Sequence, residues 1–192
     1  MAVSIDDYLD VPGKPVVVRE TSPAGPAGFW QKLEQLADWL LVKHVAVDDA
    51  EYPVTVVSGS RPHGSIRFVG AIEQRQLEPV VEMLRALATG TAEVETPATT
   101  AALRELGEDM RVTVVVSPTC PFCPRVAATA LRFACLTPHF HTAVVRADTG
   151  AAPVAVRSVP TVLVNDQIAA TGSVGEYALL ERILAVGAAQ GS

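Results

Sequence analysis

A phrase that occurs twice constrains the fold of this chain more than any other feature. Residues 16–26 read VVVRETSPAGP and residues 114–124 read VVVSPTCPFCP, an offset of 98 positions. Downstream, YPVTVV at 52–57 corresponds to VPTVLV at 159–164. Further matches follow in the same order, and each copy closes with an apolar helical pattern. The chain is therefore predicted to be a tandem repeat of one unit of about 90 residues.

The boundary between the two copies is predicted in the segment 89–100, TGTAEVETPATT, which is rich in small and turn-forming residues. We expect one domain at residues 1–92 and a second at residues 93–192. Each domain should contain four short strands and a covering helix, in the order βαβ followed by ββα. Strand–helix–strand implies a parallel pair with a right-handed crossover. The fold class is thus α/β, with a four-stranded mixed sheet in each domain.

The main helices and strands are assigned from their apolar periodicity. In the first copy we predict strands at 16–19 and 44–47, helices over 28–43 and 76–89, and a hairpin around 59–65. In the second copy we predict strands at 112–116 and 142–146, helices over 123–136 and 176–188, and a hairpin at Asn165-Asp166. Short lead-in helices are expected at 4–9 and 100–107.

Composition and charge exclude several classes of function. The net charge of −6 disfavours binding to nucleic acid, and no block of Lys or Arg interleaved with aromatic residues is present. No apolar run reaches the roughly 20 residues that span a bilayer. The first residues lack the apolar stretch of a secretory signal. Three cysteines are too few for a disulfide-stapled secreted scaffold, so we expect a soluble cytoplasmic protein.

Two of the three cysteines, Cys120 and Cys123, form a C-x-x-C pair where a predicted strand meets a predicted helix. The start of a helix presents free N–H groups and the positive end of its dipole, which favours a thiolate at Cys120. Cys123 lies one turn further on and can form a disulfide with Cys120. Pro121 and Pro124 fit the first turn of a helix, where a missing N–H breaks no hydrogen bond.

The alternative to redox chemistry at this pair is a zinc site, which needs four ligands. The remaining candidate ligands are Cys135, His139 and His141. Cys135 lies about 18 Å beyond Cys123 along the same predicted helix and cannot reach it. We therefore favour a redox pair with no metal and no bound cofactor, and interpret Cys135 as a small buried residue.

The order of elements, the TCPFC phrase and the SVPTVLVN phrase together resemble the thioredoxin superfamily. Two such folds in one chain are similar to the protein disulfide oxidoreductases and to the N-terminal region of the flavoprotein subunit of alkyl hydroperoxide reductase. The resemblance implies that Pro160 is cis and lies beside the cysteines. It further implies that the backbone of Val159 pairs with the substrate, and we expect Pro121 and Phe122 to contact it too.

The phrase around the cysteines distinguishes subgroups of the superfamily. Thioredoxins carry Trp before the first cysteine and a buried Asp upstream, where this chain has Thr119 and Val114. TCPFC resembles the glutaredoxin phrase, but the residues that hold glutathione there are replaced by ATGSVGE at 170–176. The expected substrate is therefore a protein disulfide.

The resemblance implies a thiol–disulfide oxidoreductase that receives electrons from a flavoprotein disulfide reductase and passes them to a protein such as a peroxiredoxin. No G-x-G-x-x-G dinucleotide motif is present, so a separate reductase is expected. In the first copy Ser22 and Gly25 stand where the cysteines would be, so that domain is not expected to exchange electrons. Its expected role is structural, and the alternative is a docking surface near Pro53 that positions a substrate protein for Cys120. The competing hypothesis is a redox-sensing or scaffolding module without turnover.

Overall fold

The computed structural model describes residues 5–23 and 27–190, which form six α-helices and eight strands. The first half contains α1 (Ile5–Leu9), β1 (Val16–Ser22), α2 (Gly28–Leu36), β2 (Leu40–Ala46), β3 (Val54–Gly59), β4 (Ile66–Val69) and α3 (Leu77–Thr89). The second half contains α4 (Pro97–Arg104), β5 (Met110–Val116), α5 (Cys123–Leu136), β6 (Phe140–Arg146), β7 (Thr161–Val164), β8 (Gln167–Thr171) and α6 (Glu176–Gln190). The predicted α/β class with two tandem units is confirmed.

All eight strands belong to one sheet, in the order β2-β1-β3-β4-β6-β5-β7-β8. Each half contributes four strands with the same pairing: a parallel pair, then an antiparallel strand and a closing hairpin. The two sets are joined by parallel pairing of β4 with β6. The sequence predicts the two four-stranded units, but it does not predict that they fuse into a continuous sheet.

The strand directions bring four strand-to-helix junctions to one edge of this sheet. Alternation of parallel and antiparallel pairs leaves β1, β4, β5 and β8 running in the same direction. Each of these strands is followed along the chain by one of the helices α2, α3, α5 and α6. The N-termini of those four helices therefore lie along a single edge, which we call the junction edge.

The core lies between the helices and one face of the sheet. Alternate strand residues, including Val18, Val57, Phe68, Val114 and Val162, are buried in one cluster with apolar residues of all six helices. The alternating pattern follows from the two-residue period of a strand, which sends successive side chains to opposite faces. The other face carries no helix of the described chain.

The predicted helix over 28–43 is wrong in its second half. The structure ends α2 at Leu36, places Ala37 in an extended conformation and begins β2 at Leu40. The apolar residues of 37–43 suit either a helix or an edge strand, and pairing of β2 along β1 decides for the strand. A carboxylate oxygen of Glu34 accepts the N–H of Val42 at 2.8 Å and fixes the turn.

The other helices agree more closely with the sequence. Helix α5 covers Cys123–Leu136 as predicted, and α3 begins one residue later than predicted. The second lead-in helix begins earlier, at Pro97, because the side chain of Thr96 caps it by accepting the N–H of Thr99 at 3.2 Å. The boundary at residues 92 and 93 stays a prediction.

Gly64 provides a test of the junction between the two halves. A Cβ on Gly64 would lie 1.7 Å from the carbonyl oxygen of Phe140, just ahead of the β4–β6 pairing. We expect Gly64→Ala to lower the free energy of unfolding by at least about 2 kcal/mol, because backbone has to shift. Urea denaturation measures the change.

Gly107→Ala is the matched control, since nothing lies within 4 Å of a Cβ there. It should change the free energy of unfolding by less than about 0.5 kcal/mol. Equal stability of the two variants would show that the close approach at Gly64 does not constrain the junction.

Candidate active site

Cys120 and Cys123 lie at the junction edge, between the end of β5 and the start of α5. The backbone turns after Val116, and the N–H of Cys120 donates to the carbonyl oxygen of Ser117 at 3.2 Å. The helix begins at Cys123, so Cys120 precedes its first turn. The two cysteines form a disulfide, with their Cα atoms 5.5 Å apart.

The two sulfurs differ in exposure and in their hydrogen bonds. Cys120 retains 8% of its surface and Cys123 none. The N–H of Cys123 points at the sulfur of Cys120, at 3.1 Å. An amide aimed at this sulfur stabilises negative charge there once the disulfide is reduced. Of the two cysteines, only Cys120 has exposed surface.

The predicted proline lies beside the cysteines. The Val159–Pro160 peptide bond is cis, and the carbonyl oxygen of Val159 is 3.7 Å from the sulfur of Cys120. Pro160 is buried, and its carbonyl oxygen accepts the N–H of Gly172 at 2.8 Å, which ties it to the end of β8. Cys120, Cys123, Val159 and Pro160 are thus brought together from two segments about 40 residues apart.

Pro121 and Phe122 lie in the turn that separates the two cysteines. Pro121 precedes α5 and does not occupy its first turn as predicted, whereas Pro124 is its second residue. Phe122 exposes 58% of its surface, more than any other large apolar side chain of the described residues. An exposed apolar ring thus lies next to the cysteine pair.

Cys135 is not part of this site. Its sulfur lies 4.0 Å from the carbonyl oxygen of Met83, near the far end of α5. Burial raises the pKa of its thiol to about 12. Within residues 5–23 and 27–190, no three His, Cys, Asp or Glu side chains are grouped to hold a metal ion.

His139 and His141 lie at the opposite edge, around one carboxylate. The Nδ1 atom of His139 is 2.9 Å from Asp109, and Nε2 of His141 is 3.6 Å from it. The hydrogen bond with His139 is the main cause that lowers the pKa of Asp109. His141 also accepts the N–H of Ser65, at 3.0 Å, and so links β6 to the first half. Neither histidine approaches the cysteines.

A groove of about 500 Å³ runs from the cysteine turn between α3 and α5. Pro121 and Pro124 line one part of it, and Glu78, Glu82 and Arg132 line another. Burial raises the pKa of the Glu82 carboxyl, and the positive charge of Arg132 partly offsets this rise. The first half thus contributes a wall to the site. Sequence reasoning missed this, because charged residues on α3 are typical of a solvated helix face.

Arg132 also holds the segment that joins the two halves. It lies 3.5 Å from Glu176, whose carboxylate is fully buried at the start of α6. The other oxygen of Glu176 accepts the N–H of Glu95 at 2.6 Å, and Arg132 donates to the carbonyl oxygen of Glu93 at 3.3 Å. A buried carboxylate needs such partners, so the segment 93–95 is fixed against α5.

The corresponding place in the first half carries no thiol. The hydroxyl of Ser22 is 3.0 Å from Nε2 of His44, and a carboxylate oxygen of Glu20 accepts the N–H of Ala27 at 2.9 Å. A fixed carboxylate thus occupies the start of α2, where the second half has a sulfur at the start of α5. Gly25, the predicted counterpart of Cys123, and Pro26 lie outside the described residues.

The prolines of the two halves are equivalent in position but not in geometry. Pro53 opens β3 and accepts the N–H of Gly70 at 2.8 Å, just as Pro160 opens β7 and accepts that of Gly172. This matched pair of hydrogen bonds supports the repeat. Among the described residues, only the Val159–Pro160 bond is cis.

Alkylation of the reduced protein tests the ranking of the three thiols. With iodoacetamide at pH 8, Cys120 should react at least about 100-fold faster than Cys135, because a thiol with a pKa near 12 is almost wholly protonated. Mass spectrometry of timed digests measures both rates.

The unfolded chain in guanidinium chloride is the control, and its three cysteines should react at similar rates. Equal rates for Cys120 and Cys135 in the folded protein would contradict the assignment.

Comparisons with known proteins agree with this geometry. A family model described as a thioredoxin domain matches residues 110–185. A search of curated protein sequences gave no match. Within the described residues, no helix is long and apolar enough to cross a membrane.

Solved structures match nearly the whole chain. The NTD_N/C domain of alkylhydroperoxide reductase AhpF from Enterococcus faecalis is 18% identical, with a TM-score of 0.75, covering 93% of this chain and 95% of that one. A protein disulfide oxidoreductase from Aeropyrum pernix is 20% identical, with a TM-score of 0.72 and coverages of 96% and 91%. Sso1120 from Sulfolobus solfataricus is 16% identical, with a TM-score of 0.63 and coverages of 88% and 97%.

Residues 110–185 match the thioredoxin domain family, and the chain as a whole has the tandem thioredoxin-like fold of these structures.

Proposed function

We propose that the chain is a thiol–disulfide oxidoreductase that reduces the disulfide of a partner protein. The observation that carries the proposal is the unequal exposure of the two cysteines, since Cys120 exposes 8% of its surface and Cys123 none. A dithiol of this kind captures a substrate at one sulfur and releases it through the other. The likeness to a protein disulfide oxidoreductase supports the proposal through the shared fold.

The reaction starts from the reduced form of the site. The thiolate of Cys120 attacks one sulfur of the partner disulfide, forms a mixed disulfide and expels the other partner sulfur as a thiolate. The thiolate of Cys123 then attacks the sulfur of Cys120 and expels the second partner thiolate. The partner gains two electrons, and the Cys120–Cys123 disulfide present in the structure is the product state.

Residues around Cys120 are proposed to position the partner. The backbone of Val159, 3.7 Å from the sulfur, is placed to pair with an extended substrate segment. Pro160 holds that backbone in place and offers no N–H of its own. Pro121 and Phe122 supply an apolar surface on the other side, since both are exposed.

Each catalytic cycle oxidises the dithiol to a disulfide, so a separate donor has to return two electrons to the site. We propose a flavoprotein disulfide reductase as donor and a peroxiredoxin as acceptor, in the cytoplasm. The support is the likeness to the NTD_N/C domain of an alkylhydroperoxide reductase. The first domain, proposed at residues 1–92, contributes the α3 wall of the groove beside Cys120.

Reduction of insulin driven by dithiothreitol tests the activity. The wild type should accelerate the precipitation of the insulin B chain, and Cys120→Ser should lower that catalysed rate at least about 100-fold because the attacking sulfur is gone. Turbidity at 650 nm follows the reaction.

Cys123→Ser separates capture from release. This variant should hold insulin as a mixed disulfide on Cys120, visible on a non-reducing gel and removed by dithiothreitol. Equal rates for wild type and Cys120→Ser, with no adduct in the second variant, would favour the redox-sensing or scaffolding module instead.

A further inference from the structure

The first half of the sheet has a face without helices that is open to solvent. The side chains on this face, called here the bare face, alternate with the core residues of the same strands. They are Val17, Arg19 and Thr21 of β1; Leu41, Lys43 and Val45 of β2; Val54, Val56 and Ser58 of β3; and Arg67 of β4. Val69 of β4 lies on the same side, next to the second half, and is buried.

The strand register arranges these side chains in rows across the sheet. Arg19 is paired with Lys43 on one side and with Val56 on the other, and Val56 is paired with Arg67. The three cations therefore lie in one row that crosses four strands, about 14 Å long at 4.8 Å per strand. A second row contains Val45, Thr21, Val54 and Val69, and a third begins with Leu41, Val17 and Ser58.

Three apolar residues of this face are largely exposed. Leu41 and Val45 each expose 46% of their surface and Val56 exposes 39%. Leu163, which stands in the second half where Val56 stands in the first, is fully buried, and so is Val115, the counterpart of Val17. The repeat thus provides an internal comparison: at these two positions the second copy is covered and the first is more exposed.

The difference follows the length of one connection. In the second half, residues 147–160 connect β6 to β7, which lie on either side of β5. In the first half the corresponding connection is only residues 47–53. The connection has fourteen residues in the second half and seven in the first, so the first half has less chain available to cover its sheet.

The bare face also differs in charge from the rest of the chain. It holds Arg19, Lys43 and Arg67 and no acidic residue, in a chain whose net charge is −6. Within residues 5–23 and 27–190 these three cations take part in no ion pair. Glu20, next to Arg19 in sequence, is buried on the core face of β1, and Asp48, Asp49 and Glu51 lie in the connection beyond the end of β2.

We propose that the bare face binds an amphipathic helix of a partner protein, with Asp and Glu beside its apolar stripe. A sheet face is normally buried against a helix or another sheet, and here aliphatic side chains lie on both sides of the cationic row. Acidic side chains would pair with Arg19, Lys43 and Arg67 while Leu41, Val45 and Val56 contact the stripe. Charge complementarity of this kind selects the partner and speeds its association.

A second copy of the chain fits less well, because an isologous contact would place the two cationic rows against each other. The face lies on the opposite side of the sheet from the core helices.

The probe is a synthetic 18-residue helical peptide with a leucine stripe bordered by glutamates, compared with the same peptide carrying lysines for the glutamates. Binding is measured by fluorescence anisotropy and located by amide shifts of the labelled wild-type protein. We expect saturable binding of the acidic peptide alone, weakened by salt, with shifts in β1–β4.

The triple variant R19E/K43E/R67E should weaken this binding at least about 10-fold. The control R104E/R157E/R182E has the same change in charge at exposed residues away from the face, and should bind like the wild type. Arg67→Glu alone serves if the triple variant does not fold.

Several results would overturn the proposal. They are equal binding by the two triple variants, shifts outside β1–β4, binding to phosphatidylserine vesicles but not to the acidic peptide, and dimerisation in sedimentation that the face variant abolishes.

Discussion

The direction shared by β1, β4, β5 and β8 is the constraint on which the rest of the structure depends. Because these strands run in parallel, each of them delivers the chain to a helix at the junction edge. The pairing of β4 with β6 carries this edge across both halves. Cys120 lies there, next to the start of α5, and the beginning of α3 in the first half forms the opposite side of the groove. The topology of the sheet therefore positions the candidate active site, and only the short turn that carries the two cysteines is particular to it.

The two copies use the same edge differently. The second copy places a reducible sulfur ahead of α5 and keeps the cis bond at Pro160. The first copy places the carboxylate of Glu20 ahead of α2 instead, where it accepts a backbone N–H. A carboxylate is stabilised at the start of a helix as a thiolate is, but it cannot exchange electrons. The first copy thus retains the architecture of the fold without the cysteines. It contributes two surfaces to the molecule, which are the α3 wall of the groove and the bare face.

Local patterns predict the parts of this molecule that local interactions decide. Helix α5 and the Asn165-Asp166 turn follow from short segments, and both turn residues have the positive φ that suits Asn and Asp. The prediction of a helix around Trp39 is wrong because the apolar residues there fit the period of a helix and that of a strand equally well. Only the pairing of β2 with β1 selects the strand. Other features depend on contacts between segments that are distant in sequence. They are the joining of the two four-stranded units, the hydrogen bonds of Glu176 and the charges that line the groove. Glu95 and Glu176, for example, are 81 positions apart. No pattern in a single segment encodes these.

The proposed reaction requires that the start of α5 favour the thiolate form of Cys120. The most direct measurement is the pH dependence of the iodoacetamide alkylation rate of Cys120 in the reduced protein, beside an unfolded peptide that contains TCPFC. The protein should reach half its maximal alkylation rate at a lower pH than the peptide does. Coincident pH profiles would contradict it.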